Sequence, residues 1–100
     1  MTEVMKGIFA VMQTPLKENG DLDVGSLEKQ TSFCIECGAH GLVYPVLGGE
    51  YQFLSEGERA RLVEVVVKTA AGQVPVVAGV AGPVKEVAVE CTTAAVNAGA

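Results

Sequence analysis

The chain has 100 residues, enough for one small domain with a real core and too short for two. Apolar residues make up 49% and charged residues 19%, which excludes a disordered chain. The net charge of −5, without a basic cluster, excludes the surface that nucleic acid requires. No apolar run approaches the roughly 20 residues of a membrane span, and the N-terminal stretch MTEVMKG lacks the order of a signal peptide. We therefore expect a soluble, cytoplasmic protein that has neither nucleic acid nor a membrane as partner.

The first strand and helix are predicted from an apolar run and a capped amphipathic segment. The run KGIFAVMQT (6–14) reads as a strand that Pro15 stops, and KENGD supplies a turn. The helix spans about 23–37, because the Asp23 side chain can cap the first free amides and Gly38 is a natural left-handed stop. Its apolar face is predicted at helical spacing from Val24, Leu27, Thr31, Cys34 and Ile35.

The second unit has the clearest helix start in the sequence. GLVYPV (41–46) is the predicted strand, and Ser55 then begins a capping box with Glu58. The helix is predicted over about 55–71. A run of three valines inside it would suit a strand as well, but the cap and the length favour a helix. The residues expected to be buried are Leu62, Val65, Val66 and Ala70.

The third unit consists of the strand VPVVAGV (74–80) and a helix over about 83–98. Pro83 is placed in the first helical turn, where its missing N–H costs nothing. The helix closes on Gly99. One apolar face is predicted from Val84, Val87, Ala88, Cys91 and Ala95.

Continuous apolar runs mark all three strands, which is typical of parallel strands covered on both faces and joined by helical crossovers. The repeat of about 30 to 35 residues fits such βα units. We predict the strand order 1-2-3 with right-handed crossovers. Because a three-stranded parallel sheet with an open edge is a poor independent domain, we expect the chain to be part of a larger sheet or barrel.

Three cysteines and one histidine raise the question of a redox or metal site. Cys34 and Cys37 form a C-x-x-C pair, but it lies at the end of a predicted helix, not at an N-terminus where the dipole lowers the pKa of a thiol. Zinc would need two more ligands, for which Cys91 and His40 are a poor supply. The odd count suits a reducing compartment. We interpret the cysteines as apolar fillers and His40 as structural or solvent-exposed, and we expect neither a metal nor a cofactor.

The stretch VLGGEY follows the second strand, at the edge of a parallel sheet where ligands bind. Gly48 and Gly49 lack side chains, so backbone amides there can closely approach an anion. A Gly-Gly pair is, however, more often a plain tight turn. The stretch is neither a P-loop nor a dinucleotide fingerprint, because the spacing is wrong and no helix follows at once.

The chain resembles the dihydrodipicolinate synthase / N-acetylneuraminate lyase family in three segments that keep the family's order and spacing: GIFAVMQTPLKENGDLD, GAHGLVYPVLGGEYQFLSEGERARLVEVV and GQVPVVAGVAG. The resemblance implies an α/β fold, with residues 1–100 as the first three βα units of one (β/α)8 TIM-barrel domain. It also implies class I chemistry, in which a lysine forms a Schiff base with a 2-oxo acid such as pyruvate, for aldol cleavage, condensation or dehydration. Family members are commonly homotetramers.

In the family, a Gly-Thr/Ser-Thr-Gly-Glu loop binds the substrate carboxylate, and this loop falls on residues 46–50. The resemblance therefore implies a carboxylate site at Leu47, Gly48 and Gly49, with Glu50 as a loop anchor. Leu47 replaces a hydroxyl that belongs to a proton relay with two tyrosines, and Gly48 replaces a second hydroxyl. Because leucine can neither donate nor accept a proton, we expect a lyase that acts on another 2-oxo acid, and not a true dihydrodipicolinate synthase or a standard sialic acid lyase.

None of the five lysines is predicted at the C-terminal end of a strand, where a Schiff-base lysine would face the barrel mouth. The resemblance implies a lysine on the sixth strand and a tyrosine on the fifth, so we expect no catalytic residue here and no activity from the 100 residues alone. Two alternatives stay open. One is a non-catalytic or regulatory barrel relative that binds a small carboxylic acid, and the other is a free-standing interaction module.

Overall fold

The structure is a computed structural model that describes residues 5–100, and strands alternate with helices along it. The elements are β1 (Phe9–Val11), α1 (Val24–Glu36), β2 (Gly41–Val43), α2 (Glu56–Ala70), β3 (Val76–Val77) and α3 (Lys85–Ala98). Two short 3₁₀ turns, Leu47–Gly49 and Tyr51–Phe53, lie between β2 and α2. No helix in this part of the chain is long and apolar enough to cross a membrane.

The three strands form one parallel sheet in the order β1-β2-β3, which confirms the predicted order and direction. Ala10 lies opposite Leu42, and Leu42 lies opposite Val76. The core lies between this sheet and the helices. Its fully buried members are Met12, Leu27, Leu42, Tyr44, Leu62, Val66 and Ala70.

Only one face of the sheet is covered by the described residues. Leu42 and Tyr44 are fully buried on the helix side, whereas Val11 and Val77, on the opposite face, are 54% and 39% exposed. The strands are nevertheless apolar on both faces. A sheet with this composition is typical of strands whose second face is also packed in the complete fold.

Each strand is shorter than its apolar run, so the predicted ranges 6–14, 41–46 and 74–80 were too long. Gly7, with φ of 96°, bends the chain before β1. Beyond the assigned strands, neighbouring segments are joined only by isolated backbone hydrogen bonds. For example, the Met12 amide donates to the Val43 carbonyl at 3.1 Å. Apolar residues continue past the ladder because burial against the helices, and not pairing, selects them.

The predicted caps of α1 and α2 are confirmed. The Asp23 carboxylate accepts from the Ser26 amide at 3.0 Å. The Ser55 hydroxyl accepts from the Glu58 amide at 3.1 Å, while the Glu58 carboxylate accepts from the Ser55 amide at 2.8 Å. Gly38 follows α1 with φ of 93°. These signals are local, so the helix ends agree with the predicted ranges to within a residue.

Replacing Ser55 with alanine is expected to lower the free energy of unfolding by about 1 kcal/mol, because the Glu58 amide loses its acceptor and the reciprocal box is broken. Denaturant unfolding of the variant and the unmodified protein measures the difference. A neutral result would show that tertiary contacts hold this helix start without the cap.

Helix α3 begins later than predicted, at Lys85 instead of residue 83. Val84 is extended, with φ of −138° and ψ of 160°, so the helical backbone cannot include Pro83. Val84 is also 53% exposed and does not belong to the buried face. Of the other predicted face residues, Ala95 is buried, and Val87, Ala88 and Cys91 are half-buried.

Candidate functional site

The carboxyl ends of the three strands lie along one edge of the sheet, as parallel strands require. Thr14 follows β1 at this edge, residues 46–50 follow β2, and residues 79–81 follow β3. The predicted carboxylate loop is therefore at the edge where parallel α/β folds bind ligands.

The loop forms a tight turn that uses some of its own amides. The Gly49 amide donates to the Val46 carbonyl at 2.9 Å, and the Glu50 amide donates to the Leu47 carbonyl at 3.0 Å. The amides of Leu47 and Gly48 begin the turn and have no acceptor among residues 5–100, as the first amides of a helical turn lack internal partners. Of the amides considered for carboxylate binding, those of Leu47 and Gly48 are free, whereas that of Gly49 is engaged.

The two glycines are required for different reasons. Gly49 is buried, and a Cβ added there would lie 3.1 Å from the Met12 carbonyl oxygen and 3.2 Å from Cε1 of Tyr44. Gly48 is exposed, and an added Cβ would meet only Val11, at 3.1 Å from Cγ1. Gly49 therefore permits close packing, and Gly48 keeps the amides of the turn accessible.

A buried chain of hydrogen bonds connects the loop to the side chains of Thr14 and Tyr44. The hydroxyls of Thr14 and Tyr44 lie 2.6 Å apart, and the Thr14 hydroxyl donates to the Gly49 carbonyl at 2.5 Å. A carbonyl only accepts, so the single proton of Thr14 is used there and Tyr44 must donate to Thr14. The chain runs from Tyr44 through Thr14 to Gly49. Sequence reasoning missed it, although a threonine at the end of the first apolar run and a tyrosine within the second were a signal.

Tyr44 is expected to ionise at a higher pH than an exposed tyrosine, because burial raises the pKa of its hydroxyl and the bond with Thr14 opposes only part of the effect. The folded state favours the neutral form, so this stabilisation is complete below the ordinary tyrosine pKa of about 10 and is lost as pH rises through the raised value. The ultraviolet difference spectrum of tyrosinate, taken between the unmodified protein and Tyr44→Phe, measures the transition. A difference spectrum that titrates at about 10 or below would contradict it.

Leu47 and Glu50 are placed differently from the glycines. The Leu47 side chain is 71% exposed at the edge of the sheet. Glu50 has a left-handed backbone, with φ of 59° and ψ of 39°, and joins the two 3₁₀ turns. Its exposed carboxylate makes no hydrogen bond within residues 5–100. Glu50 therefore contributes the left-handed backbone conformation that joins the two turns. Its role as a side-chain anchor of the loop stays a prediction.

Arg59 contacts the segment that follows β3 at the carboxyl edge of the sheet, and sequence reasoning did not single it out. It is 5% exposed and donates to the carbonyls of Ala81 at 2.6 Å and Gly79 at 2.9 Å. Its guanidinium also lies 5.0 Å from the ring centre of Tyr51. Arg59 therefore ties α2 to the segment after β3. The signal in the sequence was an arginine one turn before Leu62, on the apolar face of α2.

Cys34 and Cys37, at the end of α1, and His40, just before β2, lie at the opposite edge of the sheet, and Cys91 is half-buried on α3. Cys34 is half-buried and Cys37 exposed, and burial, together with the neighbouring Cys37, raises the pKa of the Cys34 thiol. Nδ1 of His40 accepts from the Ile8 amide at 2.9 Å, at the start of β2. Throughout the described range, no group of three or more metal-binding side chains is found.

None of the five lysines lies on a strand. Lys6 precedes β1, Lys17 lies in the turn after it, and the remaining three, Lys29, Lys68 and Lys85, lie on helices. Within residues 5–100, no lysine therefore occupies the carboxyl end of a strand.

Comparison with known proteins agrees with this geometry. The model of the Dihydrodipicolinate synthetase family matches residues 4–100. A 4-hydroxy-tetrahydrodipicolinate synthase from Parvibaculum lavamentivorans is 41% identical over 97 residues, which are 97% of this chain and 33% of that enzyme. The crystal structure of the chloride-inhibited dihydrodipicolinate synthase from Acinetobacter baumannii, complexed with pyruvate, gives a TM-score of 0.93 at 30% identity and covers 97% of this chain and 33% of that one. A prophage protein of the dihydrodipicolinic acid synthase family from E. coli K12, in complex with pyruvate, gives 0.92 at 26% identity, covering 98% and 33%.

These matches confirm the α/β class and the (β/α)8 TIM barrel, of which the chain covers the first three βα units. The chain spans about a third of the length of the curated relatives that it matches. The match extends over nearly all of its residues, and it includes the loop at the carboxyl edge. The chain belongs to the dihydrodipicolinate synthetase family.

Proposed function

We propose that this chain supplies the N-terminal part of a class I lyase that forms a Schiff base with a 2-oxo acid and binds its carboxylate on the loop 46–50. The observation that carries the proposal is the position of this loop at the carboxyl edge of the sheet, with two amides free, in a member of this family. Two relatives in the family are complexed with pyruvate, a 2-oxo acid.

The proposed chemistry divides between the loop and a lysine from a later strand. The lysine amine attacks the ketone, water leaves, and the resulting iminium accepts the electron pair of a neighbouring bond during aldol cleavage or dehydration. The amides of Leu47 and Gly48 donate to the carboxylate and hold the ketone in place for the attack. Glu50 keeps a structural role, because a second anion beside the bound carboxylate is unfavourable.

Leu47 limits which reaction this lyase performs. The resemblance implies a relay hydroxyl at this position, and a leucine side chain cannot pass a proton. We therefore exclude substrates whose reaction needs a proton transfer through a hydroxyl at position 47. We propose a reaction of pyruvate or a related 2-oxo acid other than dihydrodipicolinate synthesis, in a cytoplasmic homotetramer that needs no cofactor.

A non-catalytic relative that binds a small carboxylic acid is the second candidate. The exposed Leu47, where a hydroxyl is implied, favours it, because binding needs only the amides while turnover needs a proton donor. The two candidates share the loop and differ in whether a covalent bond forms.

Reduction with borohydride tests the leading proposal. The full-length protein is incubated with pyruvate, and separately with longer 2-oxo acids. It is then reduced with borohydride, and its mass is measured by mass spectrometry. A stable adduct is expected, since reduction converts the iminium to an amine. Binding of the acid without an adduct would favour the non-catalytic relative, and absence of both would overturn the proposal. Sedimentation of the same sample checks the tetramer.

A further inference from the structure

We propose that Tyr44 and Thr14 are positioning residues that hold the carboxylate loop by the carbonyl of Gly49. This inference rests on the proposed function, since it assigns the two hydroxyls a role in binding the 2-oxo acid. Neither residue touches the substrate in the proposal. Both act through the loop.

Tyr44 is fixed by the sheet before its side chain reaches the loop. Its amide donates to the Val77 carbonyl at 3.0 Å, and its carbonyl accepts from the Gly79 amide at 3.2 Å. Its side chain is fully buried beneath the loop, close to Gly49. The phenol hydroxyl is therefore presented from a rigid position.

Thr14 brings in the neighbouring strand. It follows β1 and is buried, and the adjacent Pro15 carbonyl accepts from the Asp23 amide at 3.0 Å, at the start of α1. The Thr14 hydroxyl is 2.5 Å from the Gly49 carbonyl. One hydrogen-bonded chain therefore connects the ends of β1 and β2 with the loop.

The consequence for the loop is that Gly49 is held on both sides. Its amide donates to the Val46 carbonyl, and its carbonyl accepts from Thr14. The turn cannot rotate without breaking one of these bonds, so the free amides of Leu47 and Gly48 keep one direction. Such pre-orientation matters, because a misplacement of about 1 Å at a binding group can cost on the order of 100-fold in rate.

The test uses Tyr44→Phe, Thr14→Val and the double variant in the full-length protein. The readouts are the pyruvate concentration that half-saturates borohydride trapping and the yield of adduct at saturation. Tyr44→Phe removes one hydrogen bond of ordinary strength and Thr14→Val removes two, so the half-saturating concentration should rise about threefold and about tenfold, respectively. The yield at saturation should change less. Because the two hydroxyls form one chain, the half-saturating pyruvate concentration of the double variant should be no higher than that of Thr14→Val. Thr14→Ser should bring this concentration to within about twofold of the value for the unmodified protein.

Thr31→Val is the matched control. Thr31 is a buried threonine whose hydroxyl donates to the Leu27 carbonyl at 2.8 Å, within α1 and away from the loop. Its loss should lower stability while leaving half-saturation unchanged. If Thr14→Val does not fold, Tyr44→Phe still decides the matter.

Three outcomes would count against the inference. Trapping that is unchanged in Tyr44→Phe and Thr14→Val would overturn the positioning role alone, and so would an equal weakening in Thr31→Val. No trapping and no pyruvate binding in the unmodified protein would overturn the proposed function, and the positioning role with it.

Discussion

Replacing Gly79 with alanine is expected to destabilise the protein by about 3 kcal/mol, the upper range for inserting a methyl group into a packed site. A Cβ at this position would overlap the Pro45 carbonyl oxygen and would lie 3.0 Å from Cγ1 of Val46. The backbone cannot easily move away, because the Gly79 amide donates to Tyr44 and its carbonyl accepts from Arg59. Denaturant unfolding measures the loss.

Gly57→Ala is the control for that measurement, since it makes the same chemical change with the opposite expected sign. Gly57 lies in α2, and an added Cβ would meet no atom within 4 Å. Alanine there should stabilise the protein by about 0.5 to 1 kcal/mol, because it restricts the unfolded chain and favours the helix. If Gly79→Ala were as stable as the unmodified protein, the close approach of Gly79 to Pro45 would be wrong.

Replacing Gly48 with valine is expected to raise the pyruvate concentration needed for half-maximal trapping by more than about tenfold, while the fold is largely kept. The added Cβ would already lie 3.1 Å from Val11, and the two further methyl groups would crowd the space in front of the free amides. Gly48 is exposed, so no core contact is lost. Borohydride trapping, together with the unfolding transition, separates lost binding from lost structure.

Leu47→Thr is the partner variant, since it restores the implied hydroxyl in the same loop with little change in bulk. It should trap pyruvate comparably and gain no dihydrodipicolinate synthase activity by itself, because other substrate contacts come from later strands. Unchanged trapping in Gly48→Val would return the two glycines to a plain turn. Efficient dihydrodipicolinate synthesis by the unmodified protein would contradict the exclusion based on Leu47.

Local signals in the sequence determined the order of the elements and most of the helix ends. The Asp23 cap and the Ser55–Glu58 box involve residues three positions apart, so their chemistry can be read along the chain. Apolar periodicity and the βα repeat then determined the parallel sheet, because few arrangements bury such strands. The position of the loop at the carboxyl edge follows from that topology.

Only the tertiary structure decided how the loop is held. Thr14 lies 30 residues from Tyr44 and 35 from Gly49, and no local pattern relates residues so far apart. The burial of Arg59, the close approach at Gly79 and the engagement of the Gly49 amide depend in the same way on chain segments meeting in space. The strand lengths and the later start of α3 also depend on these contacts between distant segments. Periodicity reports which face is buried, whereas hydrogen bonding and steric contact between distant segments decide what each buried group touches.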